Sequence, residues 1–289
     1  MIDRLVDLMR GRRTLVLAGA GCSTESGIPD YRGPEGRLRV RNPVQYGEFV
    51  RSEANRRRYW ARSTVGWQRV AGARPNPTHV GLAELEACGV VSGVITQNVD
   101  GLHHAAGSAR VVELHGSLAH VVCLECGDRT TRNEMQERLL AANEEWLAAV
   151  PVRGAAAGTG RGREGGPVAE PAPDGDAELP DDAYDSFAVP ACACGGVLKP
   201  DVVFFGENVP KDRVASCWRM MDDSDVLLVA GSSLTVYSGR RFVYGAAERA
   251  LPIGVVNLGP TRADDYAIAK VDGRLGEDVP RLVEALRAA

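Results

Sequence analysis

The sequence lacks a long hydrophobic run and a dominant charge of either sign. No uninterrupted apolar stretch approaches the roughly 20 residues that a membrane-spanning helix needs. The 34 Lys and Arg residues nearly balance 38 Asp and Glu residues, for a formal net charge of −4, which does not favour nucleic acid or an anionic membrane as a partner. At 289 residues, 44% hydrophobic and 25% charged, the chain is expected to form one elaborated globular domain or two modest ones.

A secretory signal pattern and internal repeats are also missing. Met1–Arg13 alternates apolar and charged residues with a helical period and leads into a strand, without an apolar segment that ends at a small-residue cleavage site. We therefore expect a cytoplasmic protein. Its seven cysteines form an odd set, which favours reduced thiols and metal ligation over a disulfide framework.

Short apolar runs rich in Val and Ile are present instead, separated by amphipathic stretches of helical period. Such runs predict buried parallel strands joined by crossover helices, and hence an α/β fold with a doubly wound, Rossmann-like parallel sheet. Asn76 and Pro77 predict the N-cap and first turn of a helix that ends at Ala87. The predicted strands are Thr14–Ala18, Val90–Thr96, Val111–Leu114, Val202–Phe205, Val226–Ala230 and Ile253–Asn257.

Two insertions interrupt this alternation and predict a smaller second domain. Residues 33–73 are Arg-rich, aromatic and too long for a simple crossover, so we expect a helical insertion. Residues 121–197 contain a predicted helix from Asn133 to Val150 and a Gly-, Ala- and Pro-rich stretch, about 153–182, that predicts a flexible loop. The main domain is accordingly assigned to residues 1–32, 74–120 and 198–289.

A Gly-rich turn, Gly19-Ala20-Gly21, follows the first predicted strand and is expected to open a helix. Glycines there let the backbone approach a pyrophosphate, which the N–H groups of a helix N-terminus bind. However, Thr24 replaces the third glycine of the usual dinucleotide pattern, and the next strand does not end in an acidic residue that could bind a ribose. A tight structural turn is the alternative, and hydride transfer is disfavoured.

Two polar segments, Asp30–Arg32 and Gln97–Asp100, lie where a bound cofactor is expected. The first follows the Gly-rich turn and is stiffened by Pro29, so it is suited to fold over a ligand, with a surface loop as the alternative. The second follows a predicted strand, at the edge where open α/β sheets bind ligands. Its amides and carboxylate suit a ribose and a carboxamide, although Asn and Asp are also common helix caps.

His115 stands at the end of the predicted strand Val111–Leu114 and is followed by Gly116. An imidazole at a strand end is suited to acid–base chemistry, because its ordinary pKa lies near neutrality. The other four histidines are interpreted as structural.

Two pairs of closely spaced cysteines, Cys123-x-x-Cys126 and Cys192-x-Cys194, indicate two knuckles of one tetrahedral Zn²⁺ site. Because four thiolates leave no open ligand position, the metal is expected to be structural. Unrelated reduced cysteines are the alternative.

The motifs follow one another along nearly the whole chain: GAGCSTESGIPDYRG, TQNVDGLH, ELHG, CLEC, CACGG, KPDVVFFGE, GSSLTVYSG and NLGPTR. This set resembles the sirtuin family, and the YWAR, VGW, PDVVFFG, VYSG and LGPTR segments are most similar to its class II members. The resemblance implies an NAD-dependent protein lysine deacylase with one structural Zn²⁺. Its main domain would bind NAD⁺, and its two insertions would form the small zinc-binding domain.

The resemblance also implies roles for individual residues. His115 would be the general base, and Asn98 a second catalytic residue in the nicotinamide pocket. The NAD⁺-binding residues would be Gly19, Ala20, Gly21, Asp30, Tyr31, Arg32, Gln97, Asn98, Asp100, Gly231, Ser232, Ser233, Asn257, Leu258, Gly259 and Leu275. An extended acyl-lysine peptide would be bound by Val203, Phe204, Gly206, Glu207, Val236 and Tyr237. The metal ligands would be Cys123, Cys126, Cys192 and Cys194.

In the implied reaction, the acyl oxygen attacks C1′ of the nicotinamide ribose and displaces nicotinamide. His115 then draws a proton from the ribose hydroxyls so that the 2′-oxygen attacks the resulting alkylimidate, which yields free lysine and 2′-O-acyl-ADP-ribose. The partners expected are acyl-lysine proteins, without nucleic acid or membrane, and a monomer is favoured.

Some features depart from the family pattern or leave alternatives open. The second knuckle is C-x-C where C-x-x-C is usual, and Leu275 stands where many relatives carry a cysteine near the adenine. Tyr59 and Arg62 are similar to the pair by which some sirtuins hold dicarboxylic acyl groups, which is a hypothesis for substrate preference. The alternative functions are a protein mono-ADP-ribosyltransferase and a non-catalytic NAD- or ADP-ribose-sensing zinc module.

Overall fold

The computed structural model describes residues 2–30, 44–149, 179 and 184–287. Tyr31, Arg32 and nearly all of the predicted loop at about 153–182 lie outside these residues. The strands are β1 (Thr14–Ala18), β2 (Val91–Thr96), β3 (Val111–Glu113), β4 (Gly116–Cys123), β5 (Arg129–Thr131), β6 (Leu198–Val202), β7 (Val226–Ala230), β8 (Ile253–Val256) and β9 (Ala269–Val271). The helices are α1 (Ile2–Met9), α2 (Tyr46–Arg51), α3 (Glu53–Gly72), α4 (Pro77–Ala87), α5 (Leu102–Ala105), α6 (Arg132–Ala142), α7 (Glu144–Ala149), α8 (Lys211–Asp222), α9 (Tyr237–Glu248) and α10 (Leu275–Arg287).

The chain divides into two compact units. The first unit comprises Met1–Asn42, Ala73–Ser117 and Glu207–Ala289, and the second comprises Pro43–Gly72 and Leu118–Gly206. Among the described residues, no helix combines the length and the apolar character that crossing a membrane requires.

A six-stranded sheet forms the first unit, with the strands in the order β3-β2-β1-β7-β8-β9. Every neighbouring pair is parallel. The chain moves outward from β1 to β3 on one side and from β7 to β9 on the other, so the strand order reverses between β1 and β7. That reversal is the topological switch point, where sheets of this class bind ligands.

Helices cover both faces of this sheet because its strands are apolar on both sides. On one face, Val16 of β1 packs in a buried cluster with residues of α1, α4 and α10, including Leu5, Leu82 and Leu282. On the other face, Leu15 packs in a cluster with residues of α8 and α9. The prediction of a doubly wound parallel sheet is therefore confirmed.

Helix α4 begins and ends where the sequence predicted. The Asn76 side chain accepts a hydrogen bond from the N–H of Thr78 at 2.9 Å, while His79 Nδ1 accepts one from the N–H of Asn76 at 3.3 Å. Pro77 occupies the first turn, where its missing N–H costs nothing. The reciprocal bonds satisfy backbone donors that have no partner inside the helix.

The second unit has a three-stranded sheet in the order β5-β4-β6 and a core rich in aromatic side chains. Trp60 of α3 is fully buried, and its indole N–H donates to the carbonyl of Leu198 at 3.2 Å. Trp146 of α7 stacks edge-on against Phe187, with ring centroids 4.7 Å apart. These few large rings supply much of the apolar contact in a small core.

The secondary-structure predictions for Val202–Phe205 and for Asn133–Val150 are wrong. Val202–Phe205 is not a strand of the main parallel sheet, because β6 ends at Val202 and belongs to the smaller sheet. Its apolar character instead reflects packing of Phe204 within the aromatic core. The helix predicted from Asn133 to Val150 is broken into α6 and α7 at Asn143, whose buried side chain donates to the carbonyls of Leu139 and Ala188, each at 2.8 Å.

Candidate active site

The polar residues of the first unit gather at the carboxyl ends of β1, β2, β3 and β7. Gly19–Ser23 follows β1, Gln97–Asp100 follows β2, and Gly231–Ser233 follows β7. Since β1 and β7 are neighbours, the loop after β1 and the loop after β7 meet at the switch point. The sequence placed these segments at strand ends, and the sheet order brings them together.

The two glycine-containing loops lie in close contact. The N–H of Gly19 donates to the carbonyl of Ala230 at 2.9 Å, and that of Gly21 donates to the carbonyl of Gly231 at 2.8 Å. A Cβ on Gly19 would lie 2.6 Å from Cβ of Ser232, closer than real Cβ atoms approach. The glycines therefore allow backbone to approach backbone here, which is also what a phosphate-binding loop needs.

The segment after the Gly-rich turn was predicted to open a helix, but no α-helix begins there. It forms two single-turn 3₁₀ helices, Ala20–Cys22 and Thr24–Ser26. Pro29 follows closely and disfavours helical backbone at Ile28, which explains why no α-helix continues. Asp30 is half-buried beyond this point.

Ser23 joins the first loop to the residues after β2. Its hydroxyl donates to Oδ2 of Asp100 at 2.7 Å and accepts from Nδ2 of Asn98 at 3.0 Å. The same Asn98 amide donates to the carbonyl of Gly19 at 3.1 Å, and Asp100 Oδ1 accepts from the N–H of Leu102 at 2.9 Å. Sequence reasoning missed Ser23; its place next to the Gly-rich turn was the available signal.

Gln97 connects the ends of three strands. Its side-chain amide donates to the carbonyl of Ala18 at 3.2 Å and to Oγ of Ser232 at 2.9 Å. Its backbone carbonyl faces Nδ1 of His115 at 2.8 Å. Gln97 thereby fixes the loop after β7 and the imidazole after β3 relative to β1.

The hydrogen bonds of His115 define its tautomer. A carbonyl oxygen can only accept, so Nδ1 carries the proton that is donated to Gln97. Nε2 then holds a lone pair, and Oγ of Ser238 lies 2.7 Å from it. Sequence reasoning did not single out Ser238.

Burial lowers the pKa of His115, and the nearby positive charges of Arg213 and Arg241 lower it further. The bond to the carbonyl of Gln97 opposes this effect because it favours the charged form. The balance keeps the imidazole neutral at pH 7, the state in which Nε2 can accept a proton.

The remaining predicted NAD⁺-binding residues of the first unit lie after β8 and at the start of α10. Asn257 is buried, and its side-chain amide donates to the carbonyls of Leu258 and Gly259, each at 3.1 Å. Leu258 is exposed. Leu275 is buried as the first residue of α10 and packs in the cluster that contains Cys22.

The predicted peptide-binding residues divide between the two units. Val203, Phe204 and Gly206 belong to the second unit, where the Phe204 ring packs 5.2 Å from that of Phe49 and 5.3 Å from that of Tyr59. Glu207, Val236 and Tyr237 belong to the first unit. Val236 and Tyr237 are exposed apolar residues at the start of α9.

Four cysteines converge in the second unit. All four sulfurs lie within 4.8 Å of one another, with Cys123 and Cys194 3.6 Å apart and Cys126 and Cys192 3.8 Å apart. The N–H of Leu124 donates to the carbonyl of Val197 at 2.9 Å and ties the two knuckles together.

The donor set and spacing of this cluster fit Zn²⁺. With Zn–S bonds of about 2.3 Å, a tetrahedral site places its sulfurs about 3.8 Å apart, close to both observed separations. The shortened Cys192-x-Cys194 pair therefore still presents two sulfurs at tetrahedral spacing. A metal bound by all four thiolates would have no open position, so its role is structural.

A nucleotide-binding type of parallel sheet, a strand-end site with a neutral imidazole, and a four-cysteine zinc site define the class of this protein. The Sir2 family model matches residues 19–238. The chain therefore belongs to the Sir2 family, the sirtuins.

Its relatives include bacterial and mitochondrial proteins. NAD-dependent protein deacetylase 2 of Bradyrhizobium diazoefficiens is 52% identical over 266 residues, which cover 92% of this chain and 91% of that protein. The human NAD-dependent protein lipoamidase sirtuin-4, mitochondrial, is 47% identical over 283 residues, 96% of this chain and 84% of that protein.

Solved sirtuin structures share the fold along the full chain. A Sir2–p53 peptide–NAD⁺ complex has a TM-score of 0.74 and 29% identity, covering 100% of both chains. A structure of Sir2 bound to acetylated peptide also has a TM-score of 0.74, with 27% identity and the same coverage.

Proposed function

We propose that the chain is an NAD-dependent protein lysine deacylase, which transfers the acyl group from lysine to ADP-ribose and releases nicotinamide. The observation that carries this proposal is the neutral, half-buried imidazole of His115. Its Nε2 has no proton, and the residue lies at the same edge of the sheet as the Gly-rich loop. The names of the relatives support the same chemistry, since they are NAD-dependent protein deacetylases and a lipoamidase.

NAD⁺, the co-substrate, is proposed to bind along the strand ends of the first unit. The contact between the loops at Gly19 and Gly231 leaves small side chains and backbone groups at that edge, which suits phosphates. The amide of Asn98 and the carboxylate of Asp100, held by Ser23, are proposed to line the nicotinamide pocket. The remaining binding residues proposed are Ala20, Gly21, Asp30, Tyr31, Arg32, Gln97, Ser232, Ser233, Asn257, Leu258, Gly259 and Leu275.

His115 is proposed to act as the general base once nicotinamide has left. A base must be unprotonated at working pH, and burial together with Arg213 and Arg241 lowers its pKa accordingly. As Nε2 accepts a proton from a ribose hydroxyl, Nδ1 keeps its own proton and continues to donate a hydrogen bond to the Gln97 carbonyl. The resulting imidazolium is thus stabilised by the same bond that orients the neutral ring.

The acyl-lysine substrate is proposed to bind as an extended peptide through backbone groups of Val203, Gly206, Glu207 and Val236. Phe204 supports this assignment, since its ring is fixed by Phe49 and Tyr59. The exposed Tyr237 offers apolar surface to such a chain. Zn²⁺ on the four cysteines would stabilise the second unit and take no part in proton transfer.

Mass spectrometry of NAD⁺ incubated with a panel of acyl-lysine peptides tests the function. The expected products are free lysine peptide, nicotinamide and O-acyl-ADP-ribose, and none should form without peptide. Release of nicotinamide with ADP-ribose retained on protein would instead support mono-ADP-ribosyl transfer. NAD⁺ binding without nicotinamide release would leave the non-catalytic sensing module.

The same panel tests the hypothesis that Arg62 selects acidic acyl groups. Tyr59 and Arg62 are both buried on α3, and Tyr59 contacts Phe204. If the hypothesis holds, Arg62→Ala lowers turnover of succinyl- and glutaryl-lysine more than that of acetyl-lysine. An unchanged ranking of acyl groups contradicts it.

Location and assembly remain predictions. The cytoplasmic location is tested by cell fractionation, which is informative because the human relative is mitochondrial by name. The favoured monomer is tested by light scattering, and the absence of nucleic-acid binding by retention on a DNA column.

A further inference from the structure

The Ser238 hydroxyl is hydrogen-bonded to Nε2 of His115, the nitrogen on which the proposed reaction depends. The hydroxyl oxygen lies 2.7 Å from Nε2. The proton of the neutral imidazole is on Nδ1, which donates a hydrogen bond to the Gln97 carbonyl. Nε2 therefore has only a lone pair, so Ser238 is the donor in its bond to Nε2. A ribose hydroxyl must either displace Ser238 or deliver its proton through it.

The position of Ser238 is set by backbone structure. Ser238 is the second residue of α9, whose start is fixed by a bond from the N–H of Arg240 to the carbonyl of Val236 at 3.2 Å. The Val236 cap makes no side-chain bond to the helix. The imidazole is held from its other side by Gln97. Neither partner therefore depends on a ligand for its position.

The accessibility of the pair suits proton transfer from outside. Ser238 is half-buried, and the neighbouring Val236 and Tyr237 are exposed by 41% and 58%. The hydroxyl can thus meet a bound molecule while it donates to the ring. A serine hydroxyl can donate one bond and accept another at the same time, which is what passing a proton requires.

We propose that Ser238 is a catalytic proton relay between the ribose hydroxyl of NAD⁺ and His115. This inference rests on the proposed deacylase function and adds a residue to its proton-transfer step. The reacting hydroxyl donates to Ser238 Oγ, and Ser238 donates to Nε2.

The relay conserves protons and electrons. The ribose O–H bond breaks, and its electron pair stays on the oxygen that attacks the acyl carbon. The released proton bonds to Ser238 Oγ while the original Ser238 proton passes to Nε2 of His115. Ser238 ends the step as a neutral hydroxyl, and His115 becomes an imidazolium that still donates from Nδ1 to Gln97.

The test compares Ser238→Ala, which removes the relay, with Ser238→Thr, which keeps a hydroxyl. Ser216→Ala is the matched control, because Ser216 lies in the first half of α8 and its hydroxyl bonds the Asp212 carbonyl at 3.0 Å. Four quantities are measured: kcat and KM for O-acyl-ADP-ribose formation, the rate of nicotinamide exchange, and the dependence of kcat on the D₂O fraction.

Loss of the relay is expected to lower kcat on the order of 10-fold, less than the roughly 10²–10⁴ that general-base catalysis as a whole contributes. KM for NAD⁺ and nicotinamide exchange should stay at wild-type values, because exchange precedes proton transfer to His115. In wild type, a plot of kcat against D₂O fraction should be curved, because two protons move in the step. In Ser238→Ala the plot should be a straight line, because only one proton moves. Thr should restore both the rate and the curvature.

The contrary outcomes are distinguishable. Wild-type kcat with a curved D₂O dependence in Ser238→Ala overturns the relay and leaves the deacylase function intact. Equal losses of exchange and acyl transfer in Ser238→Ala also overturn it, because they indicate a merely structural role. If wild type releases no nicotinamide with acyl-lysine peptide, the proposed function fails and the relay fails with it.

Discussion

The strand-end site of the first unit and the cysteine cluster of the second unit are built in different ways. In the first, Ser23 bonds both Asn98 and Asp100. The side-chain amides of Gln97 and Asn98 also donate to main-chain carbonyls of the loop after β1 and of β1 itself. In the second, four sulfurs lie at 3.6–3.8 Å in crossed pairs, a spacing that suits thiolates sharing one metal ion. The comparison indicates a site preorganised by backbone and a small unit stabilised by a metal.

Core size gives a physical reason for this difference. Counting only the described residues, the first unit has two buried clusters, one on each face of a six-stranded sheet. On the same count, the second unit has one cluster around a three-stranded sheet. Small cores bury too little apolar surface to offset chain entropy comfortably, and structural metals are a common supplement.

Removing a metal ligand should have the largest effect, and only on the second unit. Cys126→Ser removes one of the four thiolate ligands and is expected to abolish zinc binding. The second unit should then lose stability, because structural Zn²⁺ contributes roughly 10–16 kcal/mol of folding free energy in small domains. Metal analysis should give one Zn²⁺ per wild-type chain and none in the variant, with loss of the near-ultraviolet signal of Trp60 and Trp146. Cys88→Ser is the control, since Cys88 is exposed and outside the cluster. Full zinc content in Cys126→Ser would contradict the ligand assignment.

Removing the imidazole should leave both units folded but stop the chemistry. His115→Ala is expected to lower deacylation by about 10²–10⁴, the usual contribution of a general base. Circular dichroism and zinc content should match wild type. His104→Ala is the control, because His104 is an exposed histidine of the same unit. Comparable turnover in His115→Ala would remove it from the mechanism.

Adding a side chain where the loop after β1 touches the loop after β7 should have a smaller effect, on both stability and NAD⁺ binding. Gly231 has φ = +61°, and a Cβ there would lie 2.6 Å from the N atom of Cys22. Gly89 has φ = +79°, but among the described residues no atom lies within 4 Å of the position that a Cβ would take there. Gly89→Ala should therefore cost only the left-handed strain, about 1–2 kcal/mol.

Gly231→Ala should cost more than Gly89→Ala in urea unfolding, and it alone should weaken NAD⁺ binding in calorimetry. Equal unfolding midpoints for the two variants would argue that the loops separate at little cost. Unchanged NAD⁺ affinity in Gly231→Ala would argue that the co-substrate does not use this contact.

The sequence predicted the parts of the fold that depend on local pattern. The strands at β1 and β7 were predicted to the residue, because continuous apolar runs are typical of strands buried on both faces. The run at Val202–Phe205 has the same composition but is apolar for another reason, the packing of Phe204 among aromatic rings. Periodicity cannot distinguish these two causes of burial.

Local sequence pattern predicts the site only in part as well. Gln97, Asn98 and His115 were identified because each follows a strand, and parallel strands end at one edge. Ser23 and Ser238 were missed because their roles depend on contacts with residues 77 and 123 positions away in the chain. Serine is common in turns and first helical turns, so its type alone carries little information.

The charges around His115 give the smallest and most specific prediction. Neutral His115 is the active form, so the acidic limb of kcat/KM against pH should lie below the ordinary imidazole value near 6.5, because burial, Arg213 and Arg241 all disfavour the charged ring. Arg241→Gln removes one positive charge, stabilises the imidazolium and should move this limb to higher pH without changing the rate at the plateau. Arg219→Gln, an exposed change on α8, should leave the limb in place. A shift to lower pH in Arg241→Gln would mean that another group titrates, because removal of a nearby positive charge can only raise the pKa of His115.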